Sequence, residues 1–442
     1  MSAAIIFSLL IVLMLTGMPI SISLGLTVLS FLFFMTTVPI ESVALKLFTG
    51  IEKFEIMAIP FFILAGNFLT HGGVARRMIE FARTMIGHWA GGLGIAATMA
   101  AALFSAVSGS SPATVVAIGS IMLPAMLSVG YPKRFAAGVI VTGGALGNLI
   151  PPSIIMVIYA VSTSGAVYFG PAGERVSSAS VGQLFMAGMV PGAILAIMLS
   201  GTTWYRAWKN NYPRVAKATW GEAWHAFRES IWGISLIVVV LGGIYLGWFT
   251  PTEAAAMSAV YAFLIEMFIY KDLKFKDVPK VLLASANMSA MILYIVTNAV
   301  LFSFLMTSEQ VPQAMAHWMG AQGLSWVVFL LLVNLLLLAA GNVMDPSAIV
   351  LIIAPILFPV AVALGVNPIH FGILMAVNME IGLCHPPVGL NLYVTAGITK
   401  MGISELTVAV LPWLATMLVF LVFITYTPSV TLWLPRLLGM AQ

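Results

Sequence analysis

SGSSPAT, residues 108–114, breaks an apolar run over 91–129, and GNVMDPSA, residues 341–348, breaks a second run over 325–364. Each half of either run is about 15 to 18 residues, short of the roughly 20 that a membrane-spanning helix needs. Two apolar halves joined by a polar break fit a re-entrant hairpin that enters and leaves on one side. Outward from the hairpins, uninterrupted apolar runs predict spans near 3–17, 18–38, 56–75, 135–165 and 183–203. A second set follows near 231–249, 252–270, 281–306, 371–397 and 406–426. The fold class is therefore all-α and polytopic, with two re-entrant hairpins.

Composition agrees. The 442 residues are 61% hydrophobic and only 8% charged, with a mean hydropathy of +1.06. A soluble domain carries about 25% charged residues, so a water-facing surface cannot be built from this stock, and the outer faces must meet membrane lipid. One cysteine excludes a disulfide framework and a cysteine-based metal site. The net charge of +4 does not indicate nucleic acid, because the basic residues sit in short loops between apolar runs. There is no G-x-x-x-x-G-K-[ST] loop and no H-E-x-x-H, so ATP hydrolysis and metalloprotease chemistry have no carrier and the chain is not read as an enzyme. Residues 1–17 lack a basic leader and a small-x-small cleavage site, which predicts a retained first helix.

Charge sets the topology. With the N-terminus outside and both hairpins entering and leaving on one side, only Lys46, Lys53, Arg175 and Arg436 of the 19 basic residues stay outside. A single crossing at 91–129 would instead split Arg76 and Arg77 from Lys133 and Arg134, against the positive-inside rule. Both termini come out extracytoplasmic. The chain also repeats. Pro151-Pro152 recurs as Pro386-Pro387, Gly147 as Gly382, and Gly130 as Gly365, each offset by 235. Each half reads as two helices, a short amphipathic stretch, a helix, a broken hairpin, a helix interrupted at Pro-Pro, and a final helix. The halves start on opposite sides, so the repeats are inverted, the usual build of a secondary transporter.

The breaks carry the chemistry. Irregular backbone persists at membrane depth only where it lines a cavity or is buried in protein. In SGSSPAT, Ser111 is placed to cap and Pro112 to start a helix; Asp345-Pro346 repeats the pattern. Each tip would aim free N–H groups at mid-membrane, where a carboxylate is well held. Pro151 and Pro152 supply no N–H, which frees the carbonyls of Gly147 and Asn148. Pro386 and Pro387 free those of Gly382 and Leu383 in the same way. These hard oxygens, with the hydroxyls of Ser108, Ser110 and Ser111 or the Asp345 carboxylate, suit two symmetry-related Na⁺ sites. Anion-seeking N–H groups beside cation-seeking carbonyls describe symport of an anion with Na⁺.

Taken singly, a Ser-Gly-Ser or a proline kink is a packing feature; four breaks at matched repeat positions point to a site. His385, beside the break, is a candidate ligand, whereas Glu380 at the same depth pairs or faces a vestibule. His370 reads as an interfacial residue, Thr250 to Glu253 as a capping box, and Arg76 and Arg77 as markers of the cytoplasmic edge.

These motifs are recognisable together. GMPIS from Gly17, IPFFILAGNFLTHGG from Ile59, SGSSPAT, GGALGNLIPPS from Gly143, FTPTEAAA from Phe249, GNVMDPSAIV and NMEIGLCHPPVGLNLYV from Asn378 span nearly the whole chain. The chain resembles the large membrane subunit of tripartite ATP-independent periplasmic (TRAP) transporters. Its CHPPVGLNLYV form is most similar to the C4-dicarboxylate branch; other branches often show Thr-Pro-Pro at His385-Pro386-Pro387. The resemblance implies an elevator-type, Na⁺-coupled importer of an organic acid in the bacterial inner membrane. A periplasmic binding protein would deliver the small carboxylate. A separate small four-helix membrane subunit would complete the complex, since no such segment is fused here. In the family the tips and interrupted helices hold substrate and Na⁺. Those stretches map here onto Ser108, Gly109, Ser110 and Ser111, onto Asn148 to Pro152, onto Asn342 to Pro346, and onto Gly382 to Pro387.

The expected organisation follows. Residues 1–90 form scaffold helices and an amphipathic arm, 91–165 hairpin 1 and an interrupted helix, 166–203 a scaffold helix, and 204–230 a cytoplasmic linker. Residues 231–324 repeat the scaffold and arm, 325–397 supply hairpin 2 and the second interrupted helix, and 398–442 a last scaffold helix. The transport domain is 91–165 with 325–397. The alternative is a stand-alone Na⁺/dicarboxylate symporter needing no binding protein.

Overall fold

The structure is a computed structural model that describes residues 2–36, 38–164, 168–315, 322–323, 325–342, 344–386 and 388–440. Among them, eight helices are long and apolar enough to cross a membrane, and several shorter apolar helices accompany them. The protein is an all-α polytopic membrane protein. Among the described residues, the one departure is a two-stranded antiparallel ribbon, Tyr168–Phe169 with Arg175–Val176. It lies in the stretch expected as a scaffold helix, which starts only at Val181. Gly173, at φ +79°, closes its turn.

Both apolar runs with polar breaks are helical hairpins. Hairpin 1 is Gly92–Ser108 and Ser111–Ser128; hairpin 2 is Trp326–Gly341 and Pro346–Ala363. Both Pro-Pro segments interrupt helices. Interrupted helix 1 is Lys133–Gly144 and Ile154–Thr163; interrupted helix 2 is Pro368–Cys384 and Leu390–Thr399. In the first, the chain leaves the helix eight residues before Pro152 and resumes only after Ser153 caps Met156.

Capping chemistry in the sequence sets three further helix starts. Thr250 and Glu253 form the expected capping box, and Ser180 with Gln183 and Thr219 with Glu222 form two more. The last of these starts a helix inside the stretch expected as the linker. Helices Val181–Lys209 and Trp220–Tyr245 reach into 204–230 from both sides and leave only 210–219 between them. Polar and Trp residues at the membrane edge end hydropathy but not helicity. The span expected at 56–75 likewise ends at His71, and a separate amphipathic helix runs over Val74–Ile86. Its first turn is capped from outside: the buried Glu266 accepts from the N–H of Gly73 at 2.9 Å and of Val74 at 3.2 Å. Arg77 pairs with Asp272 and lies 3.7 Å over the Tyr270 ring, so it clamps the arm rather than only marking an edge.

Helix association in a bilayer rests on close packing and on polar bonds between helices of about 0.6 kcal/mol each, since lipid is as apolar as leucine. The packing here groups the helices. Val181–Lys209 and Ile403–Thr425, expected in the scaffold, pack on each other, on both interrupted helices and, for the former, on the first arm of hairpin 1. Trp413 Nε1 donates to Thr203 at 2.8 Å, Thr202 bonds Thr416 at 2.6 Å, and Arg134 pairs with Glu405 at 2.8 Å. Hydropathy reports that a run crosses, not what it packs against. Elsewhere, Pro251–Leu264 and Val278–Ser308 pack on Ala58–His71, and Val278–Ser308 also on Ile20–Met35. The two groups meet at hairpin 1, which touches Val74–Ile86, Ala58–His71 and Trp220–Tyr245, and at hairpin 2, which touches Val278–Ser308.

Candidate functional site

Hairpin 1 turns at Gly109, whose φ of +59° belongs to the left-handed region that glycine enters freely. Ser110 is the N-cap residue, with no side-chain capping bond, and Ser111 is the first helical residue. Ser111 was expected as the cap. Its buried hydroxyl instead lies 2.6 Å from the Gly144 carbonyl and 2.8 Å from Glu380 Oε2. Ser108 Oγ bonds Thr114 Oγ1 at 3.1 Å, and Thr114 donates to the Ser110 carbonyl at 2.9 Å, which closes the tip on itself.

The tip rests on the break of interrupted helix 1. A Cβ on Gly147 would collide with the Cα and N of Ser111, so the two backbones touch there. Among the described residues, the carbonyls of Gly147 and Asn148 accept no backbone N–H. That is the condition expected from Pro151 and Pro152. Gly147 also approaches the backbone of Ser110, so the break and the tip lie against each other at two successive residues.

Hairpin 2 meets interrupted helix 2 in a parallel way. A Cβ on Gly382 would stand 2.9 Å from the Gly341 Cα. Asp345 is the N-cap and accepts from the Ser347 N–H at 2.9 Å, with its side chain exposed. His385 Nδ1 lies 2.7 Å from Asn342 Oδ1 and joins tip to break. The Gly382 carbonyl, expected free, accepts from the His385 N–H at 3.3 Å, because a helix end can tighten by one residue before a proline. The Leu383 carbonyl, also expected free, accepts no described backbone N–H. Pro386 lies in the turn, and Pro387 lies outside the described residues.

Two groups went unrecognised in the sequence. Asn391 Nδ2 donates to Ser111 Oγ at 3.1 Å, and Thr114 knits hairpin 1. Of the two roles expected for Glu380, pairing or facing a vestibule, it takes the first: it is fully buried behind the tip of hairpin 1, and its Oε1 accepts from the Asn148 N–H at 2.8 Å. The readable signal was a polar or ionisable residue within an apolar helix near a break. His370, expected at the interface, is buried, with Thr431 at 2.9 Å from Nδ1 and the Thr425 carbonyl at 3.2 Å from Nε2.

One contact joins the two helix groups at the far end of interrupted helix 1. Lys53 donates to the carbonyls of Val161 at 2.9 Å and Ser164 at 3.1 Å and to Ser164 Oγ at 2.7 Å. Its partial burial holds the ammonium below the usual lysine pKa, with Glu55 opposing the shift.

Among solved structures, the chain is similar to the Alcanivorax borkumensis YdaH transporter, with a TM-score of 0.68 over 89% of this chain and 90% of that one. At 16% identity that likeness speaks to the fold alone. Among curated proteins, it is 73% identical over 440 residues to the "C4-dicarboxylate TRAP transporter large permease protein DctM" of Rhodobacter capsulatus, covering 100% of both chains. It is 48% identical to the protein of the same description in Pseudomonas aeruginosa, covering 95% of each. The family model of the "Tripartite ATP-independent periplasmic transporter, DctM component" matches residues 7–430. The chain therefore belongs to the large permease family of tripartite ATP-independent periplasmic transporters, a family of membrane transporters and not of enzymes.

Proposed function

We propose that this permease imports a C4-dicarboxylate across the bacterial inner membrane, driven by Na⁺ and supplied by a periplasmic binding protein. A separate small four-helix membrane subunit completes the complex. The substrate class rests on the relatives' names and on the CHPPVGLNLYV segment. The observation that carries the coupling is the pair of unpartnered carbonyls, Gly147 and Asn148, against the hydroxyl-bearing tip of hairpin 1.

One Na⁺ binds among Ser108, Ser110, Gly147 and Asn148, with Gly109 letting the tip backbone approach. A second binds among Asn342, Asp345 and the Leu383 carbonyl. The carboxylate substrate lies between the tips, where Ser110, Ser111, Asn148, Asp345 and His385 are at hand, and His385 presents its ring from the Asn342 bond. Without cations, the substrate charge meets the Asp345 carboxylate and a rim of carbonyl oxygens. With them, both repulsions are relieved, so substrate and Na⁺ favour each other by about 1–3 kcal/mol, as reciprocal linkage requires.

Transport then proceeds by an elevator movement. The moving body is hairpins 1 and 2 with both interrupted helices, and the packing of Val181–Lys209 and Ile403–Thr425 adds those spans to it. The remaining helices stay as the scaffold. Both termini face the periplasm. That orientation agrees with Lys53 meeting Ser164 at one end while Arg134 meets Glu405 and Arg77 meets Asp272 elsewhere. Proteoliposomes holding the permease with its small subunit, given the binding protein loaded with radiolabelled succinate, test the reading. It requires uptake that depends on both an inward Na⁺ gradient and the binding protein. Uptake without the binding protein would instead mark a stand-alone symporter, and uptake indifferent to Na⁺ would remove the coupling.

A further inference from the structure

Glu380 belongs to the second repeat, yet its hydrogen bonds go to the first. Its Oε2 meets Ser111 of hairpin 1 at 2.8 Å, and its Oε1 takes the N–H of Asn148 in the break of interrupted helix 1 at 2.8 Å. The offset of 235 that relates Gly382 to Gly147 relates Glu380 to Ala145, so the first repeat has no equivalent carboxyl to give in return. The side chain is fully buried, and no described basic residue pairs with it. Two residues along the same helix, Gly382 touches Gly341 of hairpin 2. One rigid helix end thus contacts both tips.

We infer that Glu380 is a positioning residue through which the second repeat holds the tip of hairpin 1 and the break of interrupted helix 1 in one shape, so that the two half-sites form as a unit. The physical case is the cost of leaving buried polar groups unmade. Removing the carboxyl orphans the Asn148 N–H and one side of the Ser111 hydroxyl, which has a single hydrogen to divide between Gly144 and Glu380. A glutamine would serve the same geometry. Its amide N–H donates to Ser111, the Ser111 hydrogen goes to Gly144, and its carbonyl accepts from Asn148. The role is therefore one of hydrogen-bond shape and not of net charge.

The inference rests on reading the tip as part of the transport site, and its test separates the two. The reconstituted permease with its small subunit is compared as wild type, E380A, E380Q and S111A, by hydrogen exchange over residues 108–115 and 145–150 and by succinate uptake. E380A should speed exchange in both segments about tenfold and lower uptake by a similar factor, the scale of one orphaned buried hydrogen bond. E380Q should stay within about twofold of wild type in both readouts, since its bonds are replaced. S111A should loosen 108–115 more than 145–150. E380Q as impaired as E380A, or E380A with wild-type exchange at the tip, overturns the inference. A loosened tip with unchanged uptake supports the positioning role and removes the tip from the transport site.

Discussion

The two half-sites are built from the same plan and finished differently. Each joins a hairpin tip to a helix broken near Pro-Pro, with a close backbone contact at Gly147 or Gly382. The first is sealed: Ser111, Asn148, Glu380 and Asn391 are all buried, and the carbonyls of Gly147 and Asn148 accept no described backbone N–H. The second is open: Asp345 is exposed, and the half-buried His385 and Asn342 share a bond from break to tip. Inverted repeats give two copies of a scaffold, and single-residue differences then divide the work. On the proposed reading both halves hold a cation, and the open half is also the side from which substrate enters.

The comparison breaks most sharply at its glycines. G147A should reduce succinate uptake about 100-fold or more, since its Cβ must displace the Ser111 backbone. G382A, whose Cβ would stand 2.9 Å from a glycine Cα, should cost about tenfold. Uptake of the two reconstituted variants, each checked for monodispersity, reads the difference. Equal losses would mean that the halves are equally tight.

The open half is sharpened through its His385–Asn342 bond. H385A should raise the half-saturating substrate concentration about tenfold, and H385A with N342A should show a coupling of about 1 kcal/mol in a double-mutant cycle of uptake. Purely additive losses would separate the two side chains. The smallest effect is expected away from both halves. K53M removes an ammonium from the C-terminal carbonyls of Ile154–Thr163 and should cost about 1 kcal/mol, a melting shift of about 2 °C. A thermal melt of the purified variant reads it, and an unchanged melt would make the contact dispensable.

Much of this was legible in the residues. The polar breaks at 108–114 and 341–348, the two Pro-Pro pairs and the offset of 235 predict the hairpins and interrupted helices that the structure contains. Asp345 caps as Asp-Pro suggests. What stayed hidden is what hydropathy does not encode. Ile403–Thr425 crosses as expected, but only its bonds through Trp413 and Thr416 reveal its neighbours. Ser111 looked like a cap because caps are local, whereas its partner Glu380 lies 269 residues away. His370 follows an Asn-Pro helix start that reads as interfacial, and only the fold brings Thr425 and Thr431 over it. Local chemistry is readable along the chain; a contact between repeats is not.

The most direct test of the account is the Na⁺ half-saturation of succinate uptake for wild type, S110A and D345A, measured in proteoliposomes with the binding protein at saturation. If each tip holds a coupling ion, both variants remain folded and each shifts the Na⁺ half-saturation upward by about tenfold, the scale of one lost charge-assisted ligand. Wild-type Na⁺ dependence in both variants would contradict the assignment of Na⁺ to the two tips.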